Sequence, residues 1–570
     1  MVKRASQVAV VVAIAMLACD SPARVKPWRH APDPTHEAQG APPSKVLTGL
    51  ASLGPNESEI RAQRGHTLRI HVDAEPGRLT PIVAPSTWAR RITLGTIFEP
   101  LLRYVPPSDG ARGPGHYEPR LARSWRVMPN GLEIRIELEP DVTFSDGRPM
   151  TTSDVQFTLD AIRDPKKGID QVRPMLDDVE AIELITSHEL RLRLKRPSGW
   201  VLRALAEIPI LPMHVYDGSL IAGGALVGTG PWKLVSNKTG VVHLTRNDHY
   251  WGKPAAIADL EFVYQPDAAI ALTEAKRGEF DIVPALIAAH WPEQATAPGV
   301  AAMFRPLQLA PPRLRYIVFD AARPPLDDPR VRHALALLVD RRAIAKHVFD
   351  GLARPALWPI WPGGPVDGAE ATVPDFDPAT AGKLLEAAGW SDADKDGIRE
   401  KDGKQLKLVL IGVDRPAPKD TSNPAKKSER DMIVEAARRA GVIIEVKTGG
   451  EAFIDKRETG GTYDLVEYTW GGMVDGDITQ LVGATRRAIN SARPAQPRVD
   501  RALDTMGAAW DPADRAKLAP ELAAALAESW PIAGIVADAP QGLVHKRVKN
   551  VKVWDGWIDL SQLSFDDDPK

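Results

Sequence analysis

An aromatic ring, two glycines and a carboxylate follow one another at the end of a predicted strand late in the chain. These residues are Trp470, Gly471, Gly472, Met473 and Asp475. The preceding residues 463–468 alternate between polar and apolar types, as in a strand with one buried face. The glycines allow a sharp turn and a close approach to the backbone, and the indole offers a large apolar contact. The stretch therefore fits either a turn with a core tryptophan or a platform for a ligand.

A second group of carboxylates is similar to the start of a calcium-binding loop. Asp392, Asp394 and Asp396 alternate along the chain and Gly397 follows them. The twelfth position of such a loop supplies a bidentate glutamate, but this chain has Gly403 there. Since the set of oxygen ligands is incomplete, we interpret the segment as an exposed acidic turn and predict no metal site.

The chain lacks the motifs that mark the common catalytic sites. It contains no Gly-x-Ser-x-Gly, no His-Glu-x-x-His and no Gly-x-x-x-x-Gly-Lys-Ser/Thr. Residues 228–231 read Gly-Thr-Gly-Pro, which lacks the third glycine of a dinucleotide-binding turn. The histidines are scattered without the spacing of metal ligands. We therefore predict a protein that is not an enzyme, with no catalytic residues and no cofactor.

Length and charge limit the class of protein further. The 570 residues exceed the roughly 250–300 residues at which a single hydrophobic core stops growing, so at least two domains or lobes are expected. The formal net charge of −2 gives no electrostatic reason to expect a nucleic acid partner.

The N-terminus predicts export and a lipid anchor. Lys3 and Arg4 precede an apolar run at 8–17, which is shorter than the roughly 20 residues needed to cross a bilayer but suits a signal peptide. Cys19, the only cysteine, follows directly after this segment, and the arrangement resembles a bacterial lipoprotein signal. The alternative is an ordinary signal peptide with an incidental cysteine. Residues 20–65 are polar and rich in proline, which is typical of an extended tether.

The elements that must position these residues alternate between strands and helices, which predicts α/β lobes. Strands are predicted at 68–72, 132–138, 190–194, 406–411 and 442–446 from their apolar patterns. Helices are predicted at 87–104, 429–440 and 498–530, and after the Asp-Pro pairs at 328–329 and 377–378, ending near Gly351 and Gly389.

Several sequence blocks occur together in a specific order. The longest blocks are at 117–125 and 142–151, and shorter ones are at 98–102, 228–234, 246–251, 278–281 and 328–334. Together they resemble the family 5 extracellular solute-binding proteins of ABC importers, the class that contains dipeptide, oligopeptide and nickel binders. The resemblance covers about residues 66–560.

The resemblance implies an α/β fold of two lobes that close like a clamshell, the type II periplasmic binding protein with the extra subdomain of cluster C. It implies a first lobe at 66–307 and 532–565, with a subdomain inserted at about 105–215. The second lobe is implied at 308–531. In this class the ligand is enclosed where the lobes meet, and closure presents the loaded protein to a membrane permease.

The resemblance also implies which residues contact the ligand. Peptide-binding relatives have a Trp-x-x-Asp loop whose tryptophan lines the pocket and whose aspartate pairs with the peptide amino group. Trp470 matches the tryptophan, but Met473 stands in place of the aspartate, and Asp475 comes two residues later. Asp475 either reaches the ligand or is an exposed turn residue. Trp88 aligns with a cleft position of the other lobe and is equally compatible with a core position.

These implications predict a monomeric binding protein, lipid-anchored at the periplasmic face of the bacterial cell membrane. Its expected partners are a peptide-like solute, an ABC permease with its ATPase subunits, and the membrane, with no nucleic acid. The alternatives are a binding protein that serves a sensor, a binder of a sugar or a nickel complex, and an exported hydrolase.

Overall fold

The computed structural model describes most of the body of the chain. The described residues are 66–82, 86–105, 114–164, 166, 173–216, 226–287, 290–309, 313–358, 376–413, 427–471, 478–479, 496–538, 541–554 and 557–566. The predicted signal peptide, Cys19, the tether at 20–65 and the ligand residues Gly472, Met473 and Asp475 lie outside them. No helix among the described residues has the length and apolar character needed to span a membrane.

A seven-stranded sheet organises the part that we call the first lobe. In spatial order its strands are β12 (Phe304–Leu307), β21 (Gly542–His545), β11 (Ile282–Val283), β1 (Thr67–Val72), β10 (Asp259–Tyr264), β9 (Val241–Arg246) and β8 (Trp232–Lys238). The central strand β1 runs parallel to β10 and β11. Its side chains Leu68, Ile70 and Val72 are fully buried, which confirms the strand predicted at 68–72.

A six-stranded sheet organises the second lobe. In spatial order its strands are β14 (Ala353–Pro355), β20 (Ile532–Asp538), β13 (Arg313–Phe319), β19 (Leu465–Gly471), β17 (Lys407–Val413) and β18 (Ile443–Gly449). The predicted return to the first lobe at residue 532 is therefore placed too early. Every residue of β20 is buried, and the strand is paired with β13 on one side and β14 on the other, so it belongs to the second lobe.

A four-stranded antiparallel sheet forms the inserted subdomain. Its strands in spatial order are β4 (Ala122–Val127), β5 (Glu133–Leu138), β7 (Glu189–Leu194) and β6 (Val179–Leu184). Buried and solvent-accessible residues alternate along β5 and β7, as the sequence pattern predicted for strands with one buried face.

Short strand pairs and helices complete the body. The pairs are β2 (Leu102–Val105) with β3 (His116–Pro119), β15 (Glu400–Lys401) with β16 (Lys404–Gln405), β22 (Val548–Lys549) with β25 (Ser564–Phe565), and β23 (Val553–Trp554) with β24 (Trp557–Ile558). The described α-helices are α1 (Thr87–Thr93), α2 (Thr152–Arg163), α3 (Trp200–Glu207), α4 (Ala268–Lys276), α5 (Pro298–Met303), α6 (Pro329–Leu337), α7 (Arg341–His347), α8 (Pro378–Ala387), α9 (Glu429–Arg439), α10 (Glu451–Thr459), α11 (Pro497–Ala508) and α12 (Pro512–Ser529).

Two of the predicted helices are shorter than expected. The helix predicted at 87–104 ends at Thr93, because Gly95 follows with a φ of +79°, a value that suits glycine, and the chain then enters β2. The helix predicted to run to Gly351 is divided where Asp340 caps α7. The segment at 498–530, predicted to be mostly helical, is confirmed: it contains α11 and α12, and Asp511 caps the second of them.

The buried apolar side chains cluster by lobe, with Trp200 as the exception. One cluster of buried side chains combines the first lobe with the inserted subdomain, and a second cluster fills the second lobe. A smaller third cluster lies in the first lobe, among residues of α4, α5, β12 and β21. Trp200 at the start of α3 belongs by sequence to the inserted subdomain, yet its side chain lies in the second cluster. The mixed α/β organisation predicted from the sequence is confirmed.

Candidate functional site

The chain crosses between the lobes at two adjacent places. It leaves β12 at Leu307 and enters β13 at Arg313, and it leaves β20 at Asp538 and enters β21 at Gly542. Arg313 and Asp538 are register partners on neighbouring strands, so both crossings lie side by side at one edge of the second sheet. Two short crossings of this kind are typical of a hinge between lobes.

The predicted tryptophan loop begins at the same edge. In the register of β13 and β19, Arg313 is opposite Gly471 and Leu314 is opposite Trp470. The structure therefore brings the backbone of Trp470 and Gly471 to the crossings between the lobes. The remaining residues of the predicted loop follow directly in sequence and lie outside the described part of the chain.

Trp88 lies in the first lobe, on α1. Its ring is only 4% exposed, its Nε1–H donates a 2.6 Å hydrogen bond to Oδ1 of Asp73, and its ring meets Trp557 edge to face with centroids 5.5 Å apart. Asp73 directly follows the central strand β1. The ring is thus held by packing and by a hydrogen bond, and its contact with a ligand stays a prediction.

Arg91, which sequence reasoning missed, extends this aromatic group. The Cζ atom of its guanidinium lies 5.0 Å from the ring centroid of Trp88 and 4.5 Å from that of Trp557. The pKa of Arg91 is lowered to about 10. Burial is the main cause and the positive charge of Arg313 adds to it, whereas the Asp73 carboxylate acts in the opposite direction. The available signal was its position three residues after Trp88, on the same face of α1.

Charged side chains also cluster on the second-lobe side of the crossings. Nη2 of Arg315 lies 3.4 Å from Oδ2 of Asp538, and its Nη1 donates a 2.7 Å hydrogen bond to Oε1 of Glu429. The nearest contact of Arg313 with the same Asp538 oxygen is 3.6 Å. The carboxylates of Asp538 and Glu429 are therefore already engaged by Arg315, whereas the half-exposed Arg313 is held more loosely.

Glu99 joins three of the sequence blocks in the first lobe. Its fully buried carboxylate accepts hydrogen bonds from the Tyr250 hydroxyl at 2.8 Å and from Nε1–H of Trp251 at 2.9 Å, and it pairs with Arg120 at 2.7 Å. Burial alone would lower the pKa of Arg120, but the charge of Glu99 raises it. These contacts join the three blocks within the scaffold of the first lobe.

The inserted subdomain contacts the second lobe at α3, which is a third connection besides the two crossings. The Gly199 N–H donates a 2.6 Å hydrogen bond to the Gly507 carbonyl on α11, and the buried guanidinium of Arg515 lies 4.6 Å from the ring centroid of Trp200. A Cβ atom on Gly507 would lie 2.5 Å from Nε1 of Trp200, so only glycine permits this approach. We call these four residues the clasp. The sequence does not predict it, because its members are about 300 residues apart.

The acidic turn has a local structural role. Exposed oxygens of Asp392, Asp394 and Glu400 lie within 4.8 Å of one another. These carboxylates accept backbone hydrogen bonds, from Gly397 to Asp392 and from Ala393 to Glu400. The exposure of these carboxylates and their hydrogen bonds to the backbone agree with the interpretation of the segment as an exposed acidic turn.

Comparison with known proteins identifies the family. Residues 116–488, more than half of the chain, match the profile of the bacterial extracellular solute-binding proteins, family 5 middle region. Protein XP55 of Streptomyces lividans is 27% identical over 522 residues, covering 88% of each chain. Di/tripeptide-binding protein 2 of Pseudomonas aeruginosa is 26% identical over 496 residues, covering 81% of this chain and 88% of its own.

The fold agrees with solved structures of two-lobed binding proteins. The structure of NikZ from Campylobacter jejuni in complex with Ni(L-His) matches with a TM-score of 0.69 at 23% identity, covering 88% of this chain and 99% of that one. The predicted type II clamshell fold is confirmed. The chain therefore belongs to the family 5 bacterial extracellular solute-binding proteins, which serve as substrate-binding components of ABC importers, as its sequence blocks predicted.

Proposed function

We propose that the protein captures a small, peptide-like solute between its first and second lobes and delivers it to an ABC permease. The observation that carries this proposal is the position of the Trp470–Gly471 end of β19. It lies beside the crossing at Arg313, where the chain enters the second lobe after leaving the first at Leu307. The backbone of Trp470 and the charged side chains of Arg313 and Asp538 thus lie beside a hinge, where closure can enclose a ligand.

The division into lobes that we propose follows the sheets. The first lobe comprises residues 66–307 and 541–566, with the inserted subdomain at about 105–215, and the second lobe comprises 313–538. A solute that contacts both lobes binds the closed arrangement more tightly than the open one, and this difference in affinity drives closure. The proposed mechanism is binding without catalysis, by a monomer.

Peptide-like solutes are favoured by the likeness to Di/tripeptide-binding protein 2, and a nickel complex is the alternative suggested by the NikZ structure. Met473, at the position where the resemblance predicts an amine-binding aspartate, favours a ligand without a free ammonium group at that point. An unpaired ammonium enclosed in a dry cleft would carry a penalty of several kcal/mol.

Native mass spectrometry of the purified protein tests this function. We expect a small solute to co-purify, and its removal and re-addition to change the radius of gyration measured by small-angle X-ray scattering. A protein that carries no solute, and whose melting temperature and radius of gyration respond to no peptide, nickel chelate or organic acid, would contradict the proposal.

Replacing Trp470 with alanine is expected to weaken binding of the co-purified solute roughly tenfold or more, because a buried aromatic anchor contributes about 1–3 kcal/mol to binding. Calorimetric titration measures the affinity and differential scanning calorimetry measures the melting temperature, which should fall only modestly. Trp390→Ala removes an indole of the same lobe outside the proposed cleft and serves as the control. Severe unfolding of Trp470→Ala with unchanged affinity in the folded fraction would identify Trp470 as a core residue.

Replacing Cys19 with serine is expected to release the protein from the membrane. We propose that Cys19 carries the lipid, and several acyl chains on one residue anchor a protein stably where a single chain is marginal. Fractionation and metabolic labelling with a radioactive fatty acid measure the effect, with Ser21→Ala as a control that keeps the cysteine. A wild-type protein that is soluble and unlabelled would show that the cysteine is incidental.

A further inference from the structure

The Arg515 side chain of the clasp is a cation buried without polar contacts in the part of the chain that the structure describes. It is fully buried near the start of α12, and all three of its guanidinium nitrogens lack a hydrogen-bond partner there. A guanidinium carries N–H donors on each of these nitrogens, and burying a charge without hydrogen bonds costs more free energy than burying a neutral polar group. The closed clasp therefore carries an electrostatic cost.

One face of this guanidinium is covered by the inserted subdomain. The ring centroid of Trp200 lies 4.6 Å from Cζ of Arg515. An aromatic face attracts a cation, but it provides no strong acceptor for the N–H groups, so the ring offsets only part of the cost of burial. Withdrawal of the Trp200 ring would open this face to water, and hydration would then recover part of the remaining cost.

The other contacts around the clasp allow the two parts to separate. No described strand of the inserted sheet pairs with a strand of the second lobe. The parts are joined instead by the hydrogen bond from Gly199 to Gly507 and by the exposed ion pair of Arg196 with Asp504. Trp510 of the second lobe packs in the opposite direction, partly buried against the cluster of the first lobe and the inserted subdomain. Breaking these contacts leaves both sheets intact.

We propose that Arg515 makes the clasp a reversible connection between the inserted subdomain and the second lobe. With the clasp closed, Trp200 is inserted into the second-lobe core and Arg515 is dehydrated. With the clasp open, Trp200 leaves the core and Arg515 is hydrated. The hydration of Arg515 lowers the free energy needed to release Trp200, so the open state is more populated than it would be with an apolar residue at this position. The inference holds whichever solute the protein binds.

Hydrogen exchange at one amide reports on the clasp directly. The Gly199 N–H is bonded to the Gly507 carbonyl, so it exchanges when these two residues separate. Mass spectrometry with electron-transfer fragmentation of the full chain resolves this amide, and its rate is corrected for intrinsic exchange. In the wild type we expect it to exchange roughly 10-fold or more faster than the amides of the buried strand β20, because a local opening requires less free energy than global unfolding.

Three variants assign the effect to the charge of Arg515. Arg515→Met keeps a long apolar side chain under the ring, and we expect it to slow exchange at Gly199 roughly 10-fold, since replacing a buried charged group with an apolar one is often stabilising. Arg515→Lys keeps a positive charge at the same position and should not slow the exchange. Arg501→Met makes the same replacement at an exposed position of α11 and should leave the rate unchanged.

Three results would overturn the proposal. A wild-type Gly199 amide that exchanges as slowly as those of β20 would show that the clasp opens only when the protein unfolds. Faster exchange at Gly199, a lower melting temperature or failure to fold in Arg515→Met would show that the cation stabilises the closed clasp. Equal slowing in Arg515→Met and Arg515→Lys would show that the shape of the side chain, and not its charge, sets the rate of opening.

Discussion

Replacing Glu99 with glutamine is expected to lower the free energy of unfolding by about 3–5 kcal/mol, the typical cost of removing one partner from a buried ion pair. Glu99 is fully buried and is the acceptor for Arg120, Tyr250 and Trp251. A neutral amide leaves the positive charge of Arg120 inside the first lobe without its counter-charge, and it offers one acceptor oxygen where the carboxylate offers two. Urea denaturation, followed by tryptophan fluorescence and circular dichroism, measures the change.

The control for this prediction is Glu521→Gln. Glu521 is also paired with an arginine, Arg498, at 2.9 Å, but its side chain is 57% exposed. Exposed pairs of this kind contribute about 0–1 kcal/mol. Comparable losses in the two variants would show that burial of Glu99 adds nothing to the stability of the first lobe.

Replacing Trp200 with alanine is expected to cost about 3–5 kcal/mol, as is typical of truncating a buried aromatic side chain. Its ring is 2% exposed, and the guanidinium of Arg515 stacks on it while all three guanidinium nitrogens lack hydrogen-bond partners among the described residues. The substitution therefore removes an apolar contact and also the ring that covers a buried cation. Hydrogen exchange should increase in α11 and α12 as well as in α3.

Two comparison variants define the role of Trp200. Trp200→Phe keeps an aromatic ring against Arg515 and should recover part of the stability. Asp504→Asn removes a neighbouring ion pair, to Arg196 at 2.7 Å, in which both side chains are 40% or more exposed, and should cost less than about 1 kcal/mol. Hydrogen exchange in Trp200→Ala that increases in α3 alone would show that the clasp does not support the second lobe.

Local patterns in the sequence predict helices and strands better than they predict the tertiary contacts between them. The alternation at 132–138 and the Asp-Pro pairs before α6 and α8 are short-range signals, and the structure has strands and helices there. Periodicity alone could not predict the early end of α1, because the apolar residues after Gly95 continue the spacing of a helix while the backbone turns into β2.

Tertiary contacts between distant blocks account for what the sequence did not predict. Glu99, Arg120 and Trp251 are all in blocks that identify the family, yet no spacing rule indicates that they meet around one carboxylate. Similarly, β20 is an apolar run that fits either lobe by composition, and only its pairing with β13 assigns it. In the candidate site, Trp470 was found from a motif, whereas Arg91 was found only from its contacts with Trp88 and the distant Trp557.

The clasp has a mechanical consequence for any motion of the lobes. Two rigid bodies joined by a pair of adjacent covalent crossings retain essentially one rotation, about the line through those crossings. The hydrogen bond from Gly199 to Gly507 adds a third attachment, remote in sequence from both crossings. If the axis of rotation does not pass through the clasp, only small rotations keep this attachment intact. A wider rotation must pull Trp200 out of the second-lobe core. We therefore expect the inserted subdomain to act as a mechanical stop, so that the scaffold as well as the solute limits the amplitude of opening.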